Sequence, residues 1–117
     1  MLSRINRLKK RKEFNYVYKK GEVLHAPSFV MHYVRTYRPY PQVGISVSKQ
    51  VGNSVVRSRV KRIISEALRH NISKLAIKNY VITPRANIVD KKSTDIEREL
   101  LTVLKKNGLL KAEKKEI

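Results

Sequence analysis

An α+β sandwich, built in the order α-β-β-α-β-α around a mostly antiparallel sheet packed by helices, is the fold this chain predicts. Three observations lead there. Its 117 residues fit one domain, since domains typically run to about 100–150 residues. Apolar residues alternate in extended stretches near Ser28–Tyr37, Val43–Lys49 and Asn79–Arg85. Around those stretches, apolar residues recur at helical spacing in three further segments. Neither an internal repeat nor a linker interrupts the order. One domain over residues 1–117 is therefore expected, with an ordered core over about residues 4–106 and a charged, flexible tail at 107–117.

The first helix is expected from about Asn6 to Lys20, where Phe14, Val17 and Tyr18 fall at helical spacing. Gly21, just past its end, reads as a left-handed stop. Pro27 opens the first strand, which puts Phe29, Met31, Tyr33 and Tyr37 on one face and Val30, His32 and Val34 on the other. Both faces are partly apolar, so the strand should be covered on two sides. The turn Arg38 to Pro41 leads to the second strand, in which Val43, Ile45 and Val47 alternate.

Gly52-Asn53 breaks that strand, and Asn53 or Ser54 can cap the helix that follows. At about 100° per residue, Val56, Val60, Ile63, Ile64, Ala67 and Leu68 form one apolar stripe. Arg57 and Lys61 lie on one border of it and Arg59 on the other, while Ser58, Arg62 and Arg69 face away. A short strand over Asn79 to Arg85 follows, whose Pro84 suggests an edge or an end. The last helix should span about Ser93 to Lys106, capped by Ser93 or Thr94, with Ile96, Leu100, Leu101, Val103 and Leu104 inward.

Charge narrows the partners. Lys and Arg total 27 against 9 acidic residues, for a net charge of +18. Charge this one-sided attracts polyanions and repels itself in the compact state. Nucleic acid fits better than a membrane surface, because an interfacial helix needs a broad apolar face with aromatic anchors, and the chain has no Trp and only two Phe. No apolar run is long enough to span a bilayer, and the basic start MLSRINRLKKRKEF lacks the apolar core of a signal peptide. The absence of cysteine suits a reducing, cytoplasmic setting and removes thiol and zinc-ribbon chemistry.

Catalytic arrangements are missing. The three histidines, His25, His32 and His70, lie on different elements with no carboxylate at ligand spacing, so no cofactor or metal is expected on the protein alone. The strand-to-helix step at Lys49 to Ser54 lacks phosphate-loop spacing. Binding is better supported. Arg57, Arg59, Lys61, Arg62 and Arg69 crowd one helix, and Glu66 alone cannot neutralise them. Free backbone N–H groups at the helix start, around Asn53 and Ser54, favour a phosphate, with Lys49 and Arg57 beside them. Phe14, Tyr16, Tyr18, Tyr33, Tyr37 and Tyr40 are interleaved with cations, as on surfaces that stack unpaired bases, although Phe29 and Tyr33 also suit a core.

The succession EFxxVYKKG, FVMHYV, VGISVSKQVGNSVVRSRVKRIISEALR and YVITPR resembles the bacterial ribonuclease P protein subunit family over about residues 4–104. Its most specific stretch is VSKxxGNxVxRxRxKRxIxE. The Arg-Asn-Arg typical of the family reads Arg57-Ser58-Arg59 here, which keeps both cations and removes the amide. The resemblance implies a left-handed β-α-β crossover around the basic helix, although such connections are generally right-handed. It implies that Arg57, Arg59, Lys61, Arg62 and Arg69 bind a catalytic RNA subunit. It further implies a cleft for the 5′ leader of precursor tRNA, formed by Phe14, Tyr18, Val30, His32, Lys49, Val56 and Arg85; His32 stands where the family commonly has an aromatic residue. Chemistry in such a complex belongs to Mg²⁺ held by the RNA, and no obligate protein partner or membrane is implied. A ribosomal protein or general RNA chaperone is the alternative, since either would explain the charge.

Overall fold

The computed structural model describes residues 4–110. Its elements are α1 (Arg11–Lys20), β1 (Glu22–His25), β2 (Phe29–Arg35), β3 (Gln42–Ile45), α2 (Ser54–Asn71), β4 (Lys78–Pro84) and α3 (Ser93–Lys106). The four strands form one sheet in the order β1-β2-β4-β3. Two of its three pairings are antiparallel, and β3 runs parallel to β4, so α2 is the crossover of a β-α-β unit.

Both faces of the sheet are covered, as the two-sided apolar pattern of β2 requires. On one face Phe29, Met31, Tyr80 and Ile82 meet Val60, Ile64 and Leu68 of α2 and Leu100 and Leu104 of α3. On the other, Val17 of α1 joins Leu8 and Val81 in a smaller cluster, with Phe14 and Val34 packed against it. Polar tethers fix the layers. The backbone N–H and hydroxyl of Ser28 donate to the Glu99 carboxylate at 2.9 and 2.7 Å, tying the start of β2 to α3. The buried Tyr80 hydroxyl donates to the Ala76 carbonyl at 2.6 Å, and burial pushes its phenol well above the ordinary range.

Several expected features differ. The first helix begins at Arg11, not Asn6. Residues Arg4–Asn6 form a 3₁₀ turn, and Arg7 then bridges Val43 while the Leu8 N–H donates to the Val43 carbonyl at 3.0 Å. The free edge of β3 needs hydrogen-bond partners, and this segment supplies them better as extended chain than as helix. Gly21 is extended, with φ −85°, and is not a left-handed stop. Its missing side chain serves close approach: a Cβ there would lie 2.4 Å from the Val17 carbonyl oxygen and 2.6 Å from that of Tyr33.

β1 is an additional strand, hard to read because only Leu24 of its four residues is buried. The second expected strand stops at Ile45 instead of Lys49, and Val51 closes a turn on the Ser48 carbonyl at 3.1 Å. β4 is central and not an edge. Its Pro84 is tolerated because it is the last residue of the strand, opposite Phe29. α3 is capped by the Asp95 carboxylate, which accepts from the Lys92 N–H at 3.0 Å, and not by Ser93 or Thr94. The expected tail at 107–117 is packed over its first residues: Gly108 turns at φ +70°, Leu109 is buried, and Leu110 bridges Leu75. Its remainder, 111–117, lies outside the described residues.

Candidate nucleic-acid interface

Helix α2 carries the cations and separates them by role. Val60, Ile64, Ala67 and Leu68 are buried, and Val56 and Ile63 are half-buried, so the apolar stripe holds the helix to the sheet. Asn53 caps it, its side chain accepting from the Val56 N–H at 3.0 Å. That bond uses one of the free donors at the helix start, and the Arg57 N–H already donates to the Asn53 carbonyl at 2.9 Å. The donors left for an anion are those of Ser54 and Val55.

The five predicted cations are not equivalent. Arg69 donates to Glu66 at 2.7 Å; this mutual hydrogen bond holds the Glu66 carboxyl down and the Arg69 guanidinium up. Arg59, on its border of the stripe, donates to the Val89 carbonyl at 2.7 Å and so also holds the 3₁₀ segment Ala86–Asp90. Among the described residues, Arg57, Lys61 and Arg62 make no side-chain hydrogen bond or ion pair. The Nε of Arg57 is moreover shielded from solvent without an acceptor. A shielded guanidinium N–H left unpaired is costly.

Lys61 and Ser65 look onto a groove of about 560 Å³ that runs over the edge of β3. Arg4, Arg7 and Lys9 line it as well, above an apolar floor of Leu8, Phe14, Val43 and Ile45, and no acidic side chain does. Gly44 is part of the fit, since a Cβ there would lie 2.3 Å from the tip of the Phe14 ring. Sequence reasoning missed Arg4, Arg7 and Lys9 because their only local signal was charge. What places them beside α2 is the pairing of their backbone with β3.

Several of the predicted cleft residues come together on the α1 side of the sheet. The Tyr18 hydroxyl shares a 3.2 Å hydrogen bond with the Thr83 Oγ1, and its ring meets His32 edge-on with centroids 4.8 Å apart. Val30 stands opposite both Thr83 and His25. Arg85 donates to the Ala26 carbonyl at 3.1 Å and lies 3.3 Å from the His25 Nδ1. Thr83 and His25 thus join the predicted set through strand pairing, which periodicity alone does not show. Lys49 is exposed on the turn before α2, and Val56 packs against the larger core on the opposite face of the sheet from Phe14 and Val17. Val56 therefore does not touch the Tyr18–His32 cluster.

Burial, and secondarily the nearby His25, hold the His32 imidazole below its ordinary value; its Nδ1 is shielded and unpaired. Besides His25, Tyr18 of α1 meets its ring, and Tyr18 is in turn hydrogen-bonded to Thr83 of β4. The unfolded chain takes up this proton at higher pH than the folded one, so His32 subtracts stability as pH falls through and below the ordinary histidine range. We expect the Tm to fall between about pH 7.5 and about pH 5, and to fall less in His32→Phe. Equal falls in both proteins would remove His32 as the cause.

Comparison with known proteins is consistent across sequence and structure. Residues 2–108 match the Ribonuclease P family. The chain is 39% identical over 106 residues to a ribonuclease P protein component of Clostridium botulinum, covering 89% of this chain and 96% of that protein. It is 40% identical over 115 residues to that of Clostridium acetobutylicum, covering 96% and 97%. Among solved structures it is similar to the RNase P protein of Staphylococcus aureus, with TM-score 0.79 and 31% identity over 89% of this chain and 96% of that one. The RNase P protein of Thermotoga maritima aligns with TM-score 0.78 and 26% identity over 86% and 96%.

Proposed function

Because this chain belongs to the ribonuclease P protein family, we propose that it binds the catalytic RNA of ribonuclease P and the 5′ leader of precursor tRNA, and so assists removal of that leader. The observation that carries this reading is the pairing of two surfaces of different chemistry. One is the outer face of α2, where Arg57, Lys61 and Arg62 have no protein partner among the described residues. The other is the cluster of Tyr18, Val30 and His32 on the α1 side of the sheet, with Arg85 near its end and Phe14 one helical turn before Tyr18 on α1.

Cationic side chains on a rigid helix suit the phosphates of a folded RNA, and Arg59 and Arg69 add charge there while partly tied within the protein. Phe14, Tyr18 and His32 offer ring faces to unpaired bases of any sequence, which suits leaders that differ from one precursor to the next. Lys49, Asn53 and Ser54 lie around the start of α2, where a leader phosphate could meet the remaining helix-start N–H groups, while Val56 packs on the other face of the sheet from Tyr18 and His32.

Among the described residues no group of three or more His, Asp or Glu side chains could hold a metal ion, and no step is assigned to a metal on the protein. Mg²⁺ in this reading belongs to the RNA subunit, and the protein positions the leader and screens RNA–RNA repulsion. No helix among the described residues is long and apolar enough to cross a membrane, and the cytoplasm, where tRNA precursors are made, is the proposed setting. A ribosomal protein or general chaperone is not favoured by the family match.

Cleavage of 5′-labelled precursor tRNA by a bacterial ribonuclease P RNA at low Mg²⁺, with and without this protein, tests the proposal. Strong stimulation at the mature 5′ end is expected, with no cleavage by the protein alone. Tight RNA binding without stimulation would instead support the chaperone reading.

A further inference from the structure

Gln42 is the polar residue of a strand that otherwise reads Val43, Gly44 and Ile45, and it is only 8% exposed. Its side-chain N–H donates to the Ile5 carbonyl at 3.1 Å, while its own carbonyl oxygen is shielded and accepts no hydrogen bond. A half-satisfied buried amide costs stability relative to an apolar side chain of the same size. The core therefore does not account for glutamine here; what the side chain holds does.

Residues 4–8 lie along the outer edge of β3, and Gln42 is one of two amides that clamp them there. Asn6 answers it from the other side, donating to the Pro41 carbonyl at 2.8 Å. Next to these bonds Arg7 bridges Val43, and the Leu8 N–H donates to the Val43 carbonyl. A slip of one residue would break both amide bonds and turn Leu8, 5% exposed, away from Val17 and Val81. The clamp works against charge. In this register Arg4, Arg7 and Lys9 meet Lys61 at one groove, and like charges repel across it. Neutral amides hold the segment without cancelling that charge; a carboxylate at position 42 could not donate to Ile5 and would neutralise part of it. The same segment leads directly into α1, where the Phe14 N–H donates to the Lys10 carbonyl at 3.1 Å and the ring comes to rest on Gly44.

We propose that Gln42 is a positioning residue for leader binding: with Asn6 it fixes the register of residues 4–8 on β3, and so holds Arg4, Arg7 and Lys9 in place beside Phe14 and Lys61. Gln42 itself is too buried to meet the leader and acts through the segment. This inference rests on the leader-binding reading and adds the residue that sets the geometry of one wall of the groove.

Gln42→Met keeps the length of the side chain and removes its amide. In the full chain without RNA, hydrogen exchange at the Leu8 amide should speed up by about three- to tenfold, the range that loss of one such hydrogen bond implies, while exchange at Val81 and Ile82 is unchanged. In the holoenzyme reconstituted with ribonuclease P RNA, affinity for precursor tRNA should fall by a similar factor. Mature tRNA affinity and the cleavage rate at saturating precursor should stay within about twofold of the unmutated protein. In a background of Arg4→Ser, Arg7→Ser and Lys9→Ser, all exposed positions, Gln42→Met should add less than about twofold. Unchanged Leu8 exchange would overturn the clamp. Faster exchange with full precursor affinity would overturn its role in positioning. An equal loss of affinity in both backgrounds would overturn that role too, since a general loosening of the fold does not depend on those cations. Absence of any precursor preference in the unmutated holoenzyme would refute the leader reading, and the positioning role with it, whereas the Leu8 exchange decides the clamp without RNA.

Discussion

Replacing Arg57 and Arg62 together by alanine is expected to weaken binding to ribonuclease P RNA by about 10- to 100-fold, or about 1.4–2.8 kcal/mol. The slope of log affinity against log salt should become shallower by about 1.5, because two phosphate contacts at about 0.7–0.9 each are removed. Both arginines lie on α2, make no side-chain hydrogen bond among the described residues, and the Arg57 Nε lacks an acceptor altogether. Alanine is at least as good a helix former as arginine, so α2 itself is not weakened. Arg69→Ala is the internal control. Its guanidinium already donates to Glu66 at 2.7 Å, and its loss should cost less than about threefold. Arg59 is a poorer choice, because its bond to the Val89 carbonyl makes any change there partly a change in folding. A control variant as damaging as the double variant, or an unchanged salt slope, would refute the assignment of Arg57 and Arg62.

Phe14→Ala is expected to lower the preference for precursor over mature tRNA by about 5- to 100-fold, the range that loss of one stacked base implies. Affinity for the RNA subunit should change by less than about twofold, since the α2 cations are untouched. The ring sits over Gly44, so close that a Cβ there would collide with it, and it lines the groove shared with Lys61. It also packs against Val17 and Val81, and truncation should cost about 2 kcal/mol of stability, less than for a fully buried ring. Phe14→Leu separates the two effects. It keeps the apolar contact and most of the stability but has no aromatic face. Retention of precursor preference in the leucine variant would mean that Phe14 acts through packing and not through stacking.

How much of this was legible beforehand follows from the range over which each signal acts. Helix α2 was readable almost to the residue, because an apolar stripe, an Asn cap and a run of cations are all local properties of Asn53 to Asn71. The two-sided burial of β2 was equally visible in Phe29 to Val34, where apolar or aromatic residues fall on both faces. β1 was not, because a four-residue edge strand buries one side chain and makes sense only once Tyr33 to Val30 lie beside it. The central place of β4 was likewise hidden, since Pro84 marks the end of a strand without saying which neighbours flank it.

The amino-acid sequence by itself determined the class of partner, because a charge of +18 and the crowding of arginines on one helix persist in any arrangement of the chain. It also determined which elements exist, because periodicity is set by backbone geometry within each segment. Only the tertiary structure decided which cations are free. The Val89 carbonyl, 30 residues along the chain, engages Arg59, while Arg57, Lys61 and Arg62 find no side-chain partner among the described residues. It alone carried Arg4, Arg7 and Lys9 to the groove beside α2, since the unpaired edge of β3 draws the N-terminal segment alongside it. Charge is a sum over the chain and survives any rearrangement, whereas a binding surface depends on pairings between residues far apart in sequence, and those pairings exist only in the fold.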